Sequence, residues 1–113
     1  MLKIYHNPRC SKSRETLKII QDKDAAVEIV EYLNDIPTAS TLKGLLEKLG
    51  IEASQIIRKT EPAYKENFKG KVMSNEEWIE AMVKFPKLIE RPIVVKGDKA
   101  VLGRPPENVL KLL

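Results

Sequence analysis

Residues His6-Asn7-Pro8-Arg9-Cys10-Ser11-Lys12-Ser13-Arg14 hold the only histidine and the only cysteine of the chain. The chemistry such a stretch offers is nucleophilic. A thiolate attacks where a thiol does not, and cations or a helix start bring a free thiol down from its usual value of about 8.5. Arg9, Lys12, Arg14 and His6 put four potential cations within four residues of the sulfur. A cysteine serving only as a small hydrophobe would sit among apolar neighbours, and this one does not. His6 has three readings: it stabilises the thiolate, it carries a proton, or it ends a strand at the surface. Ser13 stands where a C-x-x-C motif would have its second thiol, so any redox cycle through Cys10 needs a thiol from outside. Its hydroxyl either donates to the thiolate or a bound oxyanion, or is an ordinary first-turn serine. One histidine and one cysteine are too few soft ligands for a zinc site, so no metal is expected.

The arginines are the second candidate group. The chain has fifteen lysines, scattered mostly on what read as solvated helix faces, and only five arginines. Arg9 and Arg14 flank the cysteine, Arg58 follows a short apolar run, and Arg91 and Arg104 each precede a proline. A planar, always-charged fork suits oxyanions better than an ammonium does. The competing reading pairs Arg58, Arg91 and Arg104 with Glu61, Glu90 and Glu107 as surface ion pairs, each worth roughly 0–1 kcal/mol.

The elements that must position these residues follow from hydrophobic period. Residues 2–5 (LKIY) and 27–33 (VEIVEYL) read as strands, and a helix from about Ser11 to Asp22 joins them with Leu17, Ile20 and Ile19 facing inward. Strand, helix, strand implies a parallel β-α-β unit. Cys10 then lies at the start of the helix and at the carboxyl edge of the sheet, where amides, helix dipole and ligands meet. Leu42, Leu45, Leu46 and Leu49 mark a helix stopped by Gly50, and a short helix is expected over Ser54 to Arg58. Ser74-Asn75-Glu76-Glu77 is a capping box for a helix burying Trp78, Ile79, Met82 and Phe85. Residues 92–95 and 99–102 flank the turn Lys96-Gly97-Asp98 as a hairpin, and Pro105-Pro106-Glu107 opens a last helix with Val109, Leu110, Leu112 and Leu113. The expected fold is α/β, a mixed four-stranded sheet built from β-α-β plus β-β-α. Residues 1–33 and 91–113 form its core, with a helical insertion over about 38–86.

Composition bounds the rest. The 113 residues suit one domain, 42% are apolar and 32% charged, and no apolar run approaches the ~20 residues of a membrane span. The N-terminus turns polar too early for a secretory signal. A lone cysteine suits a reducing compartment, so a cytoplasmic, membrane-free monomer is expected. The net charge of +4 permits an anionic partner. Nucleic acid is not expected, because the lysines alternate with acids and lack interleaved aromatics.

Four motifs in order, YHNPRCSKSRETL at 5–17, IIRK at 56–59, LIERPIVV at 88–95 and GRPPE at 103–107, resemble the ArsC-type arsenate reductases, in particular the branch called YfgD-like. The resemblance spans essentially the whole chain. It implies a thioredoxin-like fold with a helical insertion, a cis bond before Pro92, and Cys10 as catalytic nucleophile. His6, Ser13 and Arg14 would hold the thiolate, and Arg58, Arg91 and Arg104 would bind the oxyanion. It further implies no bound cofactor, arsenate as substrate, glutathione as co-substrate and glutaredoxin as the partner that clears the mixed disulfide. Ser11-Lys12 departs from the Gly-Thr that generally follows the cysteine in these reductases. Two other functions fit the same framework: an Spx-type regulator that binds RNA polymerase, and a thiol oxidoreductase acting on another small anion.

Overall fold

The computed structural model describes residues 2–113, and the chain divides into two compact units. The first comprises the chain up to Asp35 together with Arg91–Leu113, and the second is Ile36–Glu90.

In the first unit, strands β1 (Leu2–His6), β2 (Val27–Glu31), β3 (Ile93–Lys96) and β4 (Lys99–Leu102) form one sheet in the order β2-β1-β3-β4. β1 runs parallel to β2 and antiparallel to β3, and β3 is antiparallel to β4. The β3–β4 turn has Gly97 at φ 60°, a conformation glycine adopts without the Cβ clash other residues meet. Side chains alternate along a strand, so Leu2, Ile4 and His6 share one face. Leu2 and Ile4 pack there with Ile20 of helix α1 (Ser11–Asp22), Val94, Val109 and Leu112. This mixed sheet with helices is the thioredoxin-like α/β arrangement expected above. The Arg91–Pro92 bond is cis, and so is Arg104–Pro105.

Two details differ from the periodic reading. The stripe that α1 buries completely is Ser13, Thr16 and Ile20, with Leu17 and Ile19 only partly covered. Polar residues can hold that stripe because each finds partners: Ser13 with His6 and Asn7, Thr16 with the carbonyls of Lys12 and Gly103. The last helix is 3-10 over Pro106–Leu112. Its buried residues are Pro106, Val109 and Leu112, a spacing of three that matches three residues per turn, while Leu110 and Leu113 stay exposed.

The second unit is helical, with α2 (Ala39–Leu49), α3 (Pro62–Asn67) and α4 (Asn75–Lys84). α2 buries Leu42, Leu45 and Leu46 and ends on Gly50 in the left-handed region at φ 70°. α4 starts at the Ser74–Glu77 capping box and buries Trp78, Ile79, Ala81 and Met82. The helix expected over Ser54 to Arg58 is instead a 3-10 turn at Ala53–Ile56. Ile57 leaves it in extended conformation and bridges to Ile89. α3, which has no fully buried residue, gave no apolar stripe from which to expect it. Tyr64 and Phe68 from this segment pack on Trp78, and Phe68 meets Phe85 edge-on. Among the described residues no helix is long and apolar enough to cross a membrane.

Gly103 sits where a side chain has no room. A Cβ there would lie 2.5 Å from Thr16 Oγ1 and 2.6 Å from Pro92 Cγ. Overpacking of this kind costs about 1–3 kcal/mol, so Gly103→Ala is expected to lower the unfolding free energy from a denaturant titration by that amount. Gly44, inside α2 with nothing within 4 Å of its missing Cβ, should respond oppositely. Gly44→Ala is expected to stabilise by roughly 0.5–1 kcal/mol, measured in the same denaturant titration.

Candidate active site

Cys10 is the N-cap of α1. Its amide donates to the Asn7 carbonyl at 3.0 Å, and its carbonyl accepts the Arg14 amide at 3.0 Å as the first helical bond. The sulfur thereby stands at the mouth of the helix, 9% exposed as a residue. No cap hydrogen bond of strict geometry closes on it, yet the amides of Ser13 and Lys12 approach closely enough to favour its charged form.

The largest single influence on the Cys10 thiol is burial, which pushes its pKa up. Against burial work the Ser13 amide, the Arg91 guanidinium through both a hydrogen bond and its charge, and the Lys12 amide. Together they win, and the thiol titrates below its ordinary value. Arg104 reaches the same atom from another segment: its Nη1 lies 3.9 Å from Cys10 Sγ and donates to the Arg91 carbonyl at 3.1 Å. Arg91 Nε is buried with no hydrogen-bond partner among the described residues. Two guanidinium groups therefore face one sulfur, and both arrive through the loops bounding β3 and β4. Thr16 Oγ1, shared between the Lys12 and Gly103 carbonyls at 2.8 and 3.4 Å, ties α1 to the residue just before Arg104.

The remaining candidates are placed otherwise. His6 is buried, and its Nδ1 lies 2.6 Å from Ser13 Oγ. Its pKa is lowered, foremost by burial and further by Arg14, against an opposing pull from Glu31. At neutral pH the ring is uncharged and contributes no cation to the thiolate. Ser13 acts on the sulfur through its amide, while its hydroxyl accepts the Asn7 amide at 3.1 Å and meets His6. Arg14 donates to the Pro8 carbonyl at 2.9 Å, bracing the loop. Arg58 belongs to the second unit, where Nη1 is 3.1 Å from Glu61 and Nε 3.6 Å from Glu90. Asn7 was not singled out from the sequence. Its side-chain oxygen accepts the Arg9 amide at 3.0 Å, its own amide goes to Ser13 and its carbonyl to Cys10, so it shapes the whole loop. The one sequence signal for it is Asn-Pro, a turn-initiating pair.

Residues 5–112 match the model of the ArsC family. The chain belongs to the ArsC family. It is 50% identical over 114 residues to the YfgD protein of Escherichia coli K12, a relative described as uncharacterized, covering 99% of this chain and 96% of that one. An arsenate reductase of Haemophilus influenzae is 44% identical, with 97% of both chains covered. Among solved structures, one named arsenate reductase from Vibrio cholerae superposes with a TM-score of 0.94 at 45% identity, covering 99% of this chain and 97% of that one. The cysteine loop and both cis-proline arginines of this ArsC protein lie within the matched span.

The rate of Cys10 alkylation by iodoacetamide is expected to rise with pH through a midpoint below about 8.5. Arg91→Gln should move that midpoint upward, and Arg14→Gln, whose guanidinium is committed to Pro8, should leave it in place. An Arg91→Gln midpoint equal to that of the native chain would refute the electrostatic assignment. The His6 ring, followed by proton NMR, should titrate below the ordinary value of about 6.5. A base whose folded pKa is lowered leaves the unfolded chain binding more protons in the interval between the two values. Its contribution to stability is therefore complete above about pH 6.5 and declines as the pH falls below it.

Proposed function

We propose that this protein is an arsenate reductase that works through Cys10 with glutathione and glutaredoxin as external thiols. The observation that carries the reading is the pair of guanidinium groups at one helix-capping sulfur, Arg104 at 3.9 Å and Arg91 lowering its pKa from beside it. Near neutral pH arsenate carries between one and two negative charges and repels a thiolate. Fixed cations beside the sulfur remove that repulsion and stabilise charge that develops as the bond forms.

The thiolate of Cys10 attacks arsenic, an S–As bond forms, and an arsenate oxygen leaves as water after protonation. A glutathione thiolate then attacks the Cys10 sulfur. The S–S bond forms as S–As breaks, and the electron pair passes to arsenic, which leaves as arsenite reduced from the pentavalent to the trivalent state. A glutaredoxin thiol takes the glutathione moiety from Cys10 and regenerates the thiolate. The chain has one cysteine, so no internal thiol can resolve either intermediate, which supports the external pair. A thiol that must stay reduced between turnovers also favours the cytoplasm.

The test is arsenite release in the presence of arsenate, glutathione and glutaredoxin. Cys10→Ser should abolish it by about 10³-fold or more. Arg104→Gln is expected to lower kcat/KM for arsenate roughly 10²–10³-fold without changing the KM for glutathione. Arg58→Gln tests the oxyanion role that the family resemblance implies for that residue. Turnover that survives Cys10→Ser would discard the proposal.

A further inference from the structure

The first unit carries a feature that the chemistry above does not use. A cleft of about 300 Å³ opens beside the residues leading into Cys10, with Asn7, Arg9, Glu31, Leu33 and Asn34 on its walls. It lies at the carboxyl ends of the parallel pair β1 and β2, where His6 and Glu31 are register partners and where open α/β sheets take their ligands. Backbone bonds hold both charged residues in place. The Arg9 amide is fixed on Asn7 Oδ1 at 3.0 Å, and the Glu31 carbonyl accepts the amides of Asn34 and Asp35, each at 2.9 Å.

Arg9 and Glu31 line this one cleft with opposite charges, and among the described residues neither is in an ion pair with the other or with anything else. A simple anion entering the cleft would meet Glu31, and a simple cation would meet Arg9. A ligand with an ammonium and a carboxylate on the same carbon satisfies both at once. Side-chain amides of Asn7 and Asn34 add donors and acceptors around it, and Leu33 supplies an apolar wall. Arg9 directly precedes Cys10 in the chain, so the cleft adjoins the loop that carries the sulfur. Neither Arg91 nor Arg104 lines the cleft, so its occupant does not compete with the oxyanion for those cations.

Resting on the reading that glutathione is the attacking thiol, we infer that this cleft holds the γ-glutamyl end of glutathione, with its α-ammonium on Glu31 and its α-carboxylate on Arg9. Docked so, the tripeptide lies beside the loop that carries Cys10 and leaves Arg91 and Arg104 to the oxyanion. The cleft thereby selects γ-glutamyl thiols over thiols that lack the zwitterionic head.

Binding can be read without arsenate by titrating S-methylglutathione, which has no free thiol, into isotope-labelled protein. The expected result is saturable shifts of the amides of Asn7, Glu31, Leu33 and Asn34, with none from cysteinylglycine. In Arg9→Gln and Glu31→Gln together, affinity should fall about three- to tenfold. Alkylation of Cys10 by iodoacetamide should stay as in the native chain, which verifies an intact fold and thiolate. In turnover the glutathione KM should rise by the same factor while the arsenate KM stays constant. Shifts confined to other residues, or unchanged affinity in the double variant, would overturn the inference. A protein that binds S-methylglutathione in this cleft yet releases no arsenite upholds the site and removes the arsenate reading. Arsenite release with silent cleft amides does the reverse.

Discussion

Burial opposes charge on the Cys10 sulfur, and the first unit is organised around overcoming that opposition. A thiolate out of water is unstable unless fixed dipoles and cations replace its hydration. Here the dipoles are the amides of Lys12 and Ser13 at the start of α1, and the cations are Arg91 and Arg104. Neither group would be in place without the sheet. The alternation of β1 turns His6 to the same face as Leu2 and Ile4, where it meets Ser13 and anchors the helix start. The absence of a side chain at Gly103 lets Thr16 close on the loop that carries Arg104. Core packing and site geometry are thus one arrangement.

Charge near in sequence and charge near in space part company in this loop. Arg9, Lys12 and Arg14 flank Cys10 in the chain, yet Arg14 braces the Pro8 carbonyl, Lys12 pairs at 3.9 Å with Glu15 on the exposed side of α1, and Arg9 lines the neighbouring cleft. Exposed charges of this kind are screened by solvent and salt. The guanidinium groups that matter to the sulfur come from residues some eighty and ninety positions away. Lys12 still contributes, but through its amide.

The second unit shows a different use of arginine. Arg58 lies between Glu61 at the start of α3 and Glu90 at the end of the unit, and its amide donates to the Leu88 carbonyl at 2.7 Å. Together with the Ile57–Ile89 bridge, these contacts tie the middle of the helical unit to its end. Two carboxylates compensate one guanidinium, so within its own unit this fork is oriented and its charge already answered.

Much of this was legible in the chain. The extents of α1 and β4, the capping box at Ser74, the left-handed stop at Gly50 and the β-α-β plus β-β-α order all rest on local rules of period, capping and turn chemistry. The place of Cys10 at a strand-to-helix turn rests on the same kind of local pattern. What the tertiary structure decided was which partners each polar group takes. Ser13 and Thr16 became core residues, His6 became a neutral anchor, Asn7 became the hub of the loop, and the last helix took a period of three. Partner choice depends on distances between segments remote in the chain, which local rules do not contain; only the packed sheet brings Arg91 and Arg104 to the sulfur.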